Sequence, residues 1–131
     1  MDRPRLQVTS ITIGTDDPAG LATFYRELLG WRQTGDDPPS GDDAGWAQLK
    51  PPEGETGPTL NFEGERQFRR PTWPAEPGGQ NATQHLDIWV QDLTKATEWA
   101  VAQGAVLADF QPQEDVRVFF DPSGNPFCLF L

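Results

Sequence analysis

Apolar and polar residues alternate from Leu6 to Gly14 (LQVTSITIG), a stretch rich in β-branched side chains, and this predicts a strand. The period then changes. In TDDPAGLATFYRELLGW, Leu21, Phe24, Tyr25, Leu28 and Leu29 fall on one helical stripe. Asp16 or Asp17 is placed to cap that helix, Pro18 suits its first position, and Gly30 ends it. Three further strands follow, at about Trp31–Thr34, Trp46–Lys50 and Thr59–Glu63.

The same order of elements then returns. TQHLDIWV predicts a strand, Asp92 a second cap, and LTKATEWAVAQGA a helix ending at Gly104. His85, Asp92 and Trp99 each stand 75 residues after Ser10, Asp17 and Phe24. Three more strands are predicted at Val106–Phe110, Val116–Phe120 and Phe127–Leu131. A strand-helix-three-strand unit occurring twice is the simplest account. It implies an α+β chain of one domain, residues 1–131, with modules at about 5–64 and 82–131. A proline-rich connection, 65–81, joins them.

Composition narrows the partners. Twenty acidic residues against ten basic ones give a net charge of −10, which repels nucleic acid and anionic lipid. A single cysteine, Cys128, excludes an internal disulfide and fits a reducing cytosol. No apolar run reaches the length of a signal peptide core or a membrane span, so a cytoplasmic location is expected. Thirteen prolines and thirteen glycines, grouped at 36–45, 51–58 and 71–79, imply short elements and many turns. DPSGNP (Asp121–Pro126) lacks the glycines of a phosphate cradle and the acidic spacing of a calcium loop. It is expected to be a tight turn with Gly124 or Asn125 at positive φ.

Three segments, DDPAGLATFYRELLGW, HLDIWVQDL and FFDPSGNPFCLFL, resemble the glyoxalase, bleomycin resistance and dioxygenase superfamily, known as the vicinal oxygen chelate fold. The resemblance is to its glyoxalase-like branch and spans nearly the whole chain. It implies two βαβββ modules whose sheets form a shared cup-shaped barrel, a ligand site inside the cup, and a homodimer. In metal-dependent members, four cup-facing side chains hold one divalent ion. The matching positions here are Ser10, a residue near Leu60 or Phe62, His85, and Cys128 in place of the usual glutamate. Only His85 is of the usual type. Cys128 and His85 make two ligands where a working site needs about three. Asp87 and Glu63 would enter only under a different assignment of faces. No metal and no cofactor are therefore expected, with a divalent metal as the alternative.

Alternation places Ser10 and Thr12 on the cup face of the first strand, and His85, Asp87 and Trp89 on that of its repeat. Leu86, Ile88 and Val90 go beneath the second helix. The expected ligand-binding set is Ser10, Thr12, Trp46, Leu60, Phe62, Trp73, His85, Trp89, Phe119 (or Phe120) and Cys128. Aromatic walls with a few fixed polar groups suit a planar or partly apolar small molecule. His85 is the candidate general base with Asp87 beside it. A Cys128–His85 nucleophilic pair is the weaker idea, because a buried cysteine commonly acts as a small apolar residue. Arg66, Arg69 and Arg70 would meet an anionic group or simply decorate an exposed loop. The function expected is metal-independent binding of a small organic molecule. The alternatives are a lyase, isomerase or dioxygenase acting on vicinal oxygens, and a regulatory or interaction module with a vestigial cup.

Overall fold

A computed structural model describes residues 1–131. Its elements run β1 (Ser10–Thr15), α1 (Pro18–Leu29), β2 (Arg32–Asp37), β3 (Trp46–Lys50), β4 (Thr59–Gly64), β5 (Leu86–Trp89), α2 (Leu93–Ala102), β6 (Val106–Leu107), β7 (Val116–Phe120) and β8 (Pro126–Phe130). The two sheets have the same topology, β1-β4-β3-β2 and β5-β8-β7-β6. In each, a three-strand meander returns so that its last strand lies parallel to the strand before the helix. The 75-residue sequence offset is thus a repeat of fold.

Local chemistry accounts for the helix ends. The Asp17 carboxylate accepts from Gly20 N at 3.0 Å, and Asp92 accepts from Lys95 N at 3.0 Å, which satisfies amides that have no intrahelical partner. Gly30 closes α1 at φ +68, donating its N–H to Arg26 O.

Several boundaries differ from expectation. β1 begins at Ser10 and not at Leu6, because its register with β4 ends at Thr59 and Pro58 before it has no N–H to continue the ladder. Leu6 and Val8 are exposed as a result. β6 keeps only two of its five predicted residues. Beyond it, the Gln111 carboxamide accepts from Val118 N (2.8 Å) and donates to the carbonyls of Ala108 and Val118. A side chain replaces the strand there, which frees Phe110 to turn toward Trp73.

One continuous core lies on the helix side of both sheets. Tyr25 of α1 stacks on Phe62 of β4 (5.5 Å between centroids) and meets Phe127 of β8 edge-on (6.1 Å). Phe119 and Phe127 stack at 5.3 Å. Trp99 of α2 donates from Nε1 to Leu28 O of α1, so the helices lie together. The helix-covered faces of both sheets converge on this core, and their open faces look away from it.

This arrangement corrects three expected pocket residues. Leu60, Phe62 and Phe119 are all buried among the helix-side residues. Their strands alternate apolar residues toward the helices, so Asn61 and Phe120 take the open faces instead.

A buried polar joint ties the modules together. Tyr25 Oη donates to Asp121 Oδ2 at 2.8 Å, and the hydroxyls of Thr15 and Ser123 meet at 2.7 Å. Asp121 Oδ1 also accepts from Ser123 N and Asn125 N, closing the DPSGNP turn with Gly124 at φ +86. Burial pushes the Asp121 carboxyl above its ordinary value, although its hydrogen bonds act the other way. Burial and the neighbouring Asp121 together raise the Tyr25 hydroxyl well above its own.

Candidate functional site

The open face of the second sheet gathers the residues with the most chemistry. His85 directly precedes β5, Asp87 lies two residues on, and Cys128 of β8 stands opposite Asp87 in register. His85 Nε2 and Asp87 Oδ1 are 3.1 Å apart, and the Cys128 sulfur lies with them inside a 4.8 Å group. His85 and Asp87 are exposed while Cys128 is buried at the base. Burial pushes the Cys128 thiol up, and the Asp87 carboxylate adds to the rise.

An aromatic wall flanks this trio. Cys128, Ala108 and Val118 form a small apolar cluster covered by Trp73, Val116 and Phe120. Trp73 comes from the connection and sits 5.9 Å from Phe110 and 6.2 Å from Phe120. Trp89 is largely exposed, beside Phe130 across the strand pair. Alternation alone does not choose between Phe119 and Phe120, which are adjacent and equally apolar, and Phe110 reaches the wall from beyond β6, where no strand period marks it.

The open face of the first sheet is polar. Thr34 Oγ1 donates to Gln48 Oε1 (2.9 Å), and Gln48 Nε2 donates to Asn61 Oδ1 (2.8 Å). Thr12 stands in register with Asn61. Ser10 is tied to Thr59 through a 3.0 Å hydroxyl contact. Trp46 lies over Gly35, where an added Cβ would come within 2.3 Å of its ring. It borders the acidic loop of Asp37, Asp42 and Asp43, apart from the His85 group. The Asn61–Gln48–Thr34 row escaped sequence reading, although Asn61 alternates with Leu60 and Phe62.

Between the sheets, a cleft of about 830 Å³ brings Thr12 and Ile13 of β1 beside Gln67, Arg69, Gln84 and His85. This volume is of small-molecule size. Of the three arginines considered, Arg69 lines the cleft, while Arg66 and Arg70 donate to the carbonyls of Asp42 and Pro122.

Two chemical capacities follow. A carboxylate 3.1 Å from an imidazole nitrogen orients the ring, the pairing a general base uses. The same atoms also bear on the divalent ion that the family resemblance implies. The structure adds Asp87 to the two donors His85 and Cys128, because the pairing of β5 with β8 sets Asp87 opposite Cys128. An imidazole, a carboxylate and a thiol meeting at one point fit a thiolate-preferring divalent ion with one position left open. His85, Asp87 and Cys128 would hold it, and the ion would polarise a ligand oxygen. Ser10 offers only a neutral hydroxyl, and Leu60 and Phe62 lie in the core.

Comparison with known proteins agrees with the fold. Among solved structures, a glyoxalase family protein from Enterococcus faecalis superposes with TM-score 0.67 at 22% identity, over 95% of this chain and 97% of that one. A fosfomycin resistance protein, FosX of Listeria monocytogenes, complexed with Mn(II) and a dihydroxypropylphosphonic acid, gives 0.66 at 15% identity (95% and 88% covered). TnmS3, an antibiotic binding protein from Streptomyces sp. CB03234, gives 0.59 at 18% identity, with 98% of both chains covered. No curated protein matches by sequence. The model of the glyoxalase-like domain, however, matches residues 10–130, and the chain belongs to that family.

Proposed function

We propose that this protein binds a small, planar or partly apolar organic molecule on its open sheet faces, in the manner of a sequestering protein. The observation that carries this reading is the wall of Trp73, Trp89, Phe110 and Phe120 around a polar trio on an exposed sheet face. Exposed aromatic area of this kind is costly to leave in water unless something covers it. TnmS3, which shares the fold, is an antibiotic binding protein, and an aromatic wall suits a small organic ligand. The apolar contacts act without a metal. A homodimer is part of the reading. The open faces look away from the common core, and a second copy would cover the Trp89 and Phe110 rings that one chain leaves exposed. No helix is long and apolar enough to cross a membrane. The lone cysteine suits a reducing cytoplasm.

Tryptophan fluorescence tests the reading directly. A panel of planar aromatic acids and polycyclic antibiotics, titrated in the presence of a chelator, should include compounds that quench saturably. Trp89→Ala should weaken the best of them about tenfold, the loss of roughly 1.4 kcal/mol of stacking. A panel without one saturable quencher would leave the vestigial-cup reading in its place.

The His85–Asp87 contact supports a second reading, an enzyme that abstracts a proton from its ligand. In that case His85→Ala would abolish turnover while ligand still quenched.

A further inference from the structure

We propose that His85, Asp87 and Cys128 form a zinc site contained within one chain, with a thiolate where the family resemblance calls for a carboxylate. The inference goes beyond ligand binding and rests on separate observations. The first is placement. Asp87 and Cys128 come from two neighbouring strands of the second module and are paired in register, and His85 stands immediately before β5, two residues before Asp87. β-pairing fixes Asp87 against Cys128, and His85 Nε2 reaches Asp87 Oδ1 at 3.1 Å, so the donor atoms lie within one 4.8 Å group without help from the first module.

The second observation is what the first module lacks. The positions matched to metal ligands there are a serine held by Thr59 and the core residues Leu60 and Phe62. A site spanning two modules is therefore lost, and Asp87 makes up the count inside one.

Donor chemistry then selects the ion. A neutral imidazole, a carboxylate and a thiolate together carry two negative charges, matching a divalent cation. Thiolate favours zinc over manganese or magnesium, which prefer oxygen. Three protein donors leave a tetrahedral ion one position for water or a ligand oxygen. Cys128 lies at the base of the face, and Asp87 and His85 stand at its exposed rim, so that position opens outward.

Cobalt(II) titration of the metal-free full chain tests this with no organic ligand present. One equivalent should produce a thiolate-to-cobalt charge-transfer absorption and the strong visible bands of a tetrahedral ion. One equivalent of zinc should remove both, and excess manganese should remove neither. Cys128→Ser should lose the charge-transfer absorption. Asp87→Asn, at an exposed position, should keep the fold and weaken zinc by at least about tenfold, the lower range for even outer-shell partners of a metal. The proposal is overturned if wild type gives no charge-transfer absorption, if manganese competes equally with zinc, or if Asp87→Asn binds zinc as tightly as wild type. Fluorescence titration in chelator stays independent, so failure of the zinc site and failure of ligand binding are told apart.

Discussion

Asp121→Ala is expected to destabilise the protein by about 3–5 kcal/mol, measured by urea unfolding. Three donors lose their acceptor at once: the Tyr25 hydroxyl and the backbone amides of Ser123 and Asn125. An orphaned buried donor costs about 1–3 kcal/mol, and water entering the turn recovers part of that. Asp121→Asn keeps an acceptor for both amides and can donate to the Tyr25 oxygen, so its cost should stay below about 1.5 kcal/mol. The pH dependence has a definite sign. The folded Asp121 carboxyl is raised above 3.8, so its stabilising contribution is fully present below that pH. It is lost as pH rises through the folded value. Wild type should therefore lose stability relative to Asp121→Asn over that rise. Tyr25 repeats this at the alkaline end. Its raised hydroxyl makes stability fall as pH climbs above 10, and Tyr25→Phe should remove that fall. Equal alkaline profiles for wild type and Tyr25→Phe would show that the joint is not closed in solution.

Phe62→Ala carries the second large effect, an expected loss of about 3–5 kcal/mol for a fully buried aromatic ring. Its ring stacks on Tyr25, which in turn touches Phe127, so the cavity would open between the two modules. What separates core from pocket is the ligand. Folded Phe62→Ala should bind as wild type does, whereas Trp89→Ala should bind weakly and unfold at nearly the wild-type urea concentration. The opposite pattern would return Phe62 to the pocket.

Much of this arrangement was legible because strands and helices impose periods. The 75-residue offset exposed the repeat, and both aspartate caps and Gly30 lie where their chemistry requires. Alternation also separated Asp87 and His85 from Leu86 and Ile88. It failed where motif matching overrode it. Leu60 and Phe62 entered the expected pocket through a ligand position of the family, while their own alternation with Asn61 put them under α1. Phe119 and Phe120 differ only in phase, and the register with Phe127 and Pro126 decides between them. Asp87 was undercounted as a donor because its approach to Cys128 depends on the pairing of β5 with β8. The joint of Tyr25 with Asp121 spans 96 residues, and no local pattern announces it. β6 was overextended because Val106–Phe110 has strand composition. The Gln111 carboxamide that replaces its ladder is a single-residue device with no periodic signature.

Binding on the open faces is the central claim, and the five tryptophans carry its most direct measurement. Their indole N–H signals can be followed by NMR as a quenching compound is added. Trp73 and Trp89 border the trio, Trp46 lies on the other open face, Trp31 packs against the core, and Trp99 is bonded to Leu28 O. The account predicts large shifts at Trp73 and Trp89, with Trp31 and Trp99 unmoved. Shifts confined to Trp31 and Trp99, with Trp73 and Trp89 unchanged at saturation, would contradict it.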